Sequence, residues 1–172
     1  MLIQILQDAL FAAIAAIGFA AISRPPKAAF LYCAIIAAVG HSARFLLMSS
    51  TVGLNILGAT AIAAFIVGLL SVWLSPKAKI PPETCLFPSL LPMIPGMYAY
   101  RAFGGLALCL TGSSEATFSH DFYLFASNGL TCLFILLVMV IGATIPIFLF
   151  RRRAFTATRE AVNTSSPSDV IK

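Results

Sequence analysis

The chain has 172 residues, of which 60% are hydrophobic and only 10% are charged. Soluble domains carry about 25% charged residues, so a soluble globular fold is excluded and the apolar runs must be covered by lipid or by other helices. The net charge of +5 does not point to nucleic acid, because five of the eleven basic residues (Arg151, Arg152, Arg153, Arg159 and Lys172) follow the last apolar run, a placement that suits anchoring at a cytoplasmic membrane face.

A crossing takes about 20 apolar residues at 1.5 Å of rise each. In chain order the sequence supplies spans at about 3–22, 28–48, 53–74, 86–111 and 122–150. The expectation is therefore an all-α polytopic membrane protein with a transmembrane domain over residues 1–153. It has five transmembrane helices, the fourth broken at a PxxPG motif. The Ser/Thr-rich stretch 154–172 reads as a disordered cytoplasmic tail.

The first span begins without a basic segment, carries Asp8 inside it, and is followed rather than preceded by positive charge. Those features count against a cleaved signal peptide, the rival suggested by the small residues of Ala12 to Ala21. Basic residues gather at Arg24 to Lys27, at Lys77 to Lys79 and at Arg151 to Arg153, whereas 48–53 is uncharged and 112–121 carries only Glu115 and Asp121. With five spans all three basic links share the cytoplasmic side. The N-terminus is then outside, the C-terminus cytoplasmic, and the location a bacterial inner membrane.

Charged or titratable groups inside spans cost about 2.5–3.5 kcal/mol on insertion scales, so each is a candidate for a transport pathway. Asp8 falls in the first two turns of its helix, where the dipole favours a carboxylate. His41 and Arg44, at i,i+3 on the second span, share a face. Arg44 is close enough to the outer end to snorkel, and an ion pair between Asp8 and Arg44 is expected if their helices meet. His41 and Arg101 both lie roughly 20 Å from the cytoplasmic end of their spans. His41 is open between a packing histidine and a proton-responsive group. Arg101, with no carboxylate on its own helix, must pair across helices, line a wet cavity or hold an anion, and the cavity or anion is the expectation.

The fourth span contains Pro88, Pro92, Pro95 and Gly96. Proline removes an amide hydrogen and clashes with the preceding turn, so Pro92-x-x-Pro95-Gly96 should interrupt the helix. Broken backbone at membrane depth is tolerated only inside protein or beside water, and a half-helix start near Met97 and Tyr98 attracts anions while freed carbonyls attract cations. A simple proline kink is the alternative. Ala64 with Gly68, Gly104-Gly105, Gly53 and Gly58 offer close helix approach.

No catalytic signature is present: no GxSxG, HExxH or Walker loop. Cys33, Cys85, Cys109 and Cys132 are dispersed, without a CxxC or a Cys/His cluster, so neither a metal nor a disulfide framework is expected, and no cofactor.

Gly18-Phe19-Ala20 ahead of Pro25-Pro26, Gly40-His41-x-x-Arg44, Leu54-Asn55 and Pro92-Met-Ile-Pro-Gly96-x-x-x-Tyr100-Arg101 together resemble the YjjB-type membrane subunit of the threonine/serine exporter (ThrE) family, from about Gln4 to Arg151. The resemblance implies export of a small hydrophilic metabolite, succinate in split two-subunit systems and threonine or serine in fused ones, with involvement of protons. It also implies a YjjP-like membrane partner and places Gly40, His41, Arg44, Pro92, Pro95, Gly96, Tyr100 and Arg101 in the family motifs. The expected function is thus one subunit of a two-component exporter of a succinate-like carboxylate. Threonine/serine export and a non-transporting scaffold for the partner are the alternatives.

Overall fold

The structure, a computed structural model, describes residues 2–49, 52–112 and 114–150. Among these residues there are six α-helices and one short 3-10 turn, with no strand: α1 (Leu2–Ser23), α2 (Lys27–Met48), α3 (Ile56–Ala78), α4 (Pro82–Leu90), the turn Leu91–Met93, α5 (Gly96–Thr111) and α6 (Glu115–Leu149). Four of them, α1, α2, α3 and α6, are long and apolar enough to cross a membrane. The expected tail 154–172 and the basic cluster Arg151 to Arg153 lie outside the described residues.

The short link after Ser23 folds α1 back along α2. Small side chains line the buried side of both helices: Ala12, Ala16 and Ala20 recur every fourth residue on α1, and α2 buries Ala29, Cys33, Ala34, Ala37 and Gly40 along with Ile36, Gly40 against Val67 of α3. Such residues bring helix backbones close where lipid supplies no hydrophobic drive, and packing must hold the pair. The larger side chains of α1, among them Leu6, Phe11 and Ile14, point outward, as expected of a surface solvated by acyl chains.

Helix α3 starts three residues later than the periodicity suggested, because Gly53 takes a left-handed φ of +66° and the Asn55 side chain accepts the amide of Gly58 at 2.8 Å. That is an N-cap. It also runs on to Ala78 rather than stopping near Leu74, and ends where Lys79 adopts the left-handed conformation and its amide returns to the Pro76 and Ser75 carbonyls. Contact between α3 and α6 depends on glycine. A Cβ at Gly68 would run into the Ala143 backbone, and one at Gly142 would stand 2.6 Å from the Ala61 carbonyl oxygen.

The stretch 86–111, expected as one span broken at Pro92-x-x-Pro95-Gly96, is two helices: α4 and the 3-10 turn lie against α1 and α2, α4 also against α3, whereas α5 leaves that group and packs along α6. Gly105 sits at this second contact, 2.7 Å from the Phe125 amide nitrogen once a Cβ is added. Helix α6 begins seven residues before the expected 122, since Ser114 caps it and Glu115 occupies the first turn. At 35 residues it is about 52 Å long, well beyond the roughly 30 Å of a hydrocarbon core. Its polar first turns, with Ser119, His120 and Asp121, therefore suit the interface or water.

Candidate functional site

The break between α4 and α5 leaves main-chain oxygens without their helical donors. Pro92 and Pro95 have no amide hydrogen to give to the carbonyls four residues earlier. Around them, Ile94 N–H turns back to Leu91 O at 3.2 Å and Gly96 N–H to Ile94 O at 2.8 Å. The Pro92 and Met93 carbonyls are taken up by side chains of α2 instead: His41 Nε2 lies 3.0 Å from Pro92 O, and Arg44 Nη1 donates to Met93 O at 2.8 Å. In this way three charged or titratable side chains and two carbonyls are gathered at one level of the bundle.

The third side chain is Asp8 of α1. Its carboxylate accepts from His41 Nδ1 at 2.8 Å, with the His41 side chain 13% and the Asp8 side chain 30% exposed. The expected partner was Arg44. The difference is one of register: Asp8 lies 15 positions before the end of α1 and His41 14 positions after the start of α2, about 21–22 Å of rise in each case, while Arg44 lies almost a turn further on. Its guanidinium is tied to Met93 O and to the imidazole, its Nη2 being 3.3 Å from His41 Nε2.

His41 Nε2 therefore faces an acceptor and a donor at once. With the proton on Nδ1 only, it accepts from Arg44; with a second proton, it donates to Pro92 O and Arg44 Nη2 loses that acceptor. A cavity of about 410 Å³ opens here, lined by Asp8, His41, Arg44, Phe45, Met48 and Ser49. Two others, of about 370 Å³ between α3 and α6 and about 130 Å³ beside Leu90 and Met139, are almost wholly apolar.

The remaining sequence candidates divide. Pro92 is half-buried and Pro95 buried, both shaping the break; Gly96 opens α5. Met97 and Tyr100 are 63% and 75% exposed, Tyr98 is half-buried, and Arg101 is exposed and makes no hydrogen bond or ion pair among the described residues. Arg101 and the half-helix start are thus not brought to the Asp8–His41–Arg44 group. Met93 was not singled out, yet it supplies the carbonyl held by Arg44, and its buried side chain packs where Gly40 leaves room. Its position just after Pro92, one step before the interruption, was the available signal. No group of His, Cys, Asp and Glu suited to a metal occurs among the described residues.

A bundle of lipid-length helices enclosing a charged, hydrogen-bonded group beside interrupted backbone defines a multi-pass membrane protein. The family model described as "Threonine/Serine exporter, ThrE" matches residues 8–149. A protein of Haemophilus influenzae, described as uncharacterized, is 37% identical over 153 residues, 88% of this chain and 50% of its own length. The chain belongs to the threonine/serine exporter family. It spans about half the length of that curated relative. No solved structure matches it.

Proposed function

We propose that the chain is one membrane subunit of a two-component secondary exporter for a small carboxylate-bearing metabolite, succinate-like in class, that works with a YjjP-like partner. The observation that carries this reading is the Asp8–His41–Arg44 group with the Pro92 and Met93 carbonyls, set beside a cavity large enough for a dicarboxylate. An ionisable cluster is costly at membrane depth and is kept where a substrate or ion path needs it. The two-component arrangement follows the split YjjP/YjjB pairs that the sequence resembles.

In this reading α4, the 3-10 turn and α5 make one interrupted crossing, so that five crossings place the basic links on the cytoplasmic side of the inner membrane and the N-terminus outside. Arg44 provides the guanidinium for the carboxylate, and His41 links anion binding to a proton. Protonation at Nε2 frees Arg44 Nη2 and adds one positive charge, so proton and anion favour each other's binding. Threonine or serine is the second reading, favoured by the family's description.

Labelled succinate, threonine and serine are loaded into liposomes holding this subunit alone, the partner alone, or both. The proposal expects efflux only with both, and faster for succinate. Efflux from the purified chain alone contradicts the two-component reading; equal efflux with and without this chain makes it a scaffold.

A further inference from the structure

Helix α5 is used on one side only. Gly105 and Ala102 are buried against α6, with the Phe125 and Gly129 backbones close by. On the adjoining face Met97, Arg101, Gly104 and Leu108 are all exposed. Their 4-3-4 spacing is the seam that one helix offers to a second. The two adjacent glycines show the asymmetry directly: a Cβ on Gly105 would strike α6, whereas one on Gly104 meets nothing within 4 Å.

Arg101 makes the seam more than an apolar face. It stands five residues, about 7.5 Å of rise, beyond the start of α5, and Met93 just before that start is fully buried at the bundle centre. In the five-crossing reading above, in which α5 is part of a crossing, its guanidinium lies within the membrane thickness. It lines none of the three cavities described above and has no carboxylate among the described residues within ion-pair distance. A guanidinium facing acyl chains is strongly disfavoured and is normally paired inside protein. Its planar fork matches a carboxylate in two hydrogen bonds.

We propose that the Met97–Arg101–Gly104–Leu108 seam of α5 docks a transmembrane helix of the partner subunit that carries an Asp or Glu opposite Arg101. This rests on the two-component reading above. The charge complement fixes the chemistry of the occupant, and Gly104 allows its backbone to come close.

The test places a photo-cross-linking benzoylphenylalanine at Leu108, in the seam and 51% exposed, and a control one at Phe11 on α1, 69% exposed. Both are irradiated in the membranes of cells that make the full system, and the joined peptides are sequenced. The expected adduct from position 108 is a membrane-spanning segment of a different polypeptide bearing Asp or Glu, absent from the Phe11 control. Arg101→Glu should reduce its yield by roughly tenfold or more, because the partner's carboxylate then meets a like charge, and exchanging that carboxylate for Arg should restore it. An adduct with a second copy of this chain, with a segment lacking a carboxylate, or with lipid alone overturns the proposal, as does an unchanged yield in Arg101→Glu. The adduct's identity is read with Arg101 intact, so a misfolded charge variant leaves the test decisive. Partner-dependent efflux with adducts mapping elsewhere rejects this seam but keeps the two-component reading; efflux from the chain alone rejects that reading.

Discussion

A histidine with an acceptor at each ring nitrogen satisfies both only as the imidazolium, and His41 has the further complication of a guanidinium at Nε2. This makes Asp8 and His41 the energetically coupled pair. The double change Asp8→Asn with His41→Gln should be less harmful than the sum of the single changes by about 0.5–3 kcal/mol, read from thermal unfolding in detergent. Strict additivity would place the two apart. A second prediction concerns His41 itself, which faces Asp8 from α1, Arg44 from its own helix and only carbonyls from the 3-10 turn. His41→Gln should slow succinate efflux through the assembled complex; efflux at the parental rate in the variant would remove His41 from the path. At this scale the sequence named all three side chains but paired Asp8 with Arg44. Counting from the outer helix ends favoured Arg44; counting from the tight α1–α2 link, where the register is fixed, favours His41. The carbonyl partners were less legible, because main-chain acceptors carry no side-chain identity and show themselves only through the prolines that free them.

At the scale of elements, small residues decide which helices touch. Ala64 and Gly68 meet α6, whereas Gly58 lies in the Asn55 cap and Gly104 meets nothing; the sequence offered all of these as equal candidates, since composition does not say which side of a helix has a neighbour. Gly68→Leu should destabilise the chain by about 1–3 kcal/mol or prevent its accumulation, because the obstacle is the Ala143 backbone, which cannot rotate away. Gly104→Leu, in contrast, should leave the thermal stability of the isolated subunit within about 0.5 kcal/mol of the parent. A larger loss there would mean that Gly104 is packed within the chain itself. Helix ends were missed by several residues for the reason that caps and left-handed residues, not hydropathy, set them: Asn55 delays α3, Lys79 closes it, and Ser114 starts α6 early.

For the whole molecule, the all-helical membrane class follows directly from a composition with few charges and repeated apolar runs of lipid length, and it was legible from the sequence. Two helices, α4 and α5, replace the single run at 86–111, and only the motif Pro92-x-x-Pro95-Gly96 hinted at this. The sidedness proposed above predicts that a reporter fused after Arg153 is cytoplasmic and that a cysteine at Ser114 is labelled from outside; labelling of Ser114 from the cytoplasm alone would reverse it. The central claim is that the Asp8–His41–Arg44 group is the path taken by the anion. Its most direct measurement is the efflux rate of labelled succinate from liposomes containing both subunits, with Arg44→Gln compared with the parent at matched amounts of assembled complex. The predicted result is loss of efflux with assembly intact. Efflux at the parental rate would show that the arginine only braces the Met93 carbonyl and that the substrate passes elsewhere.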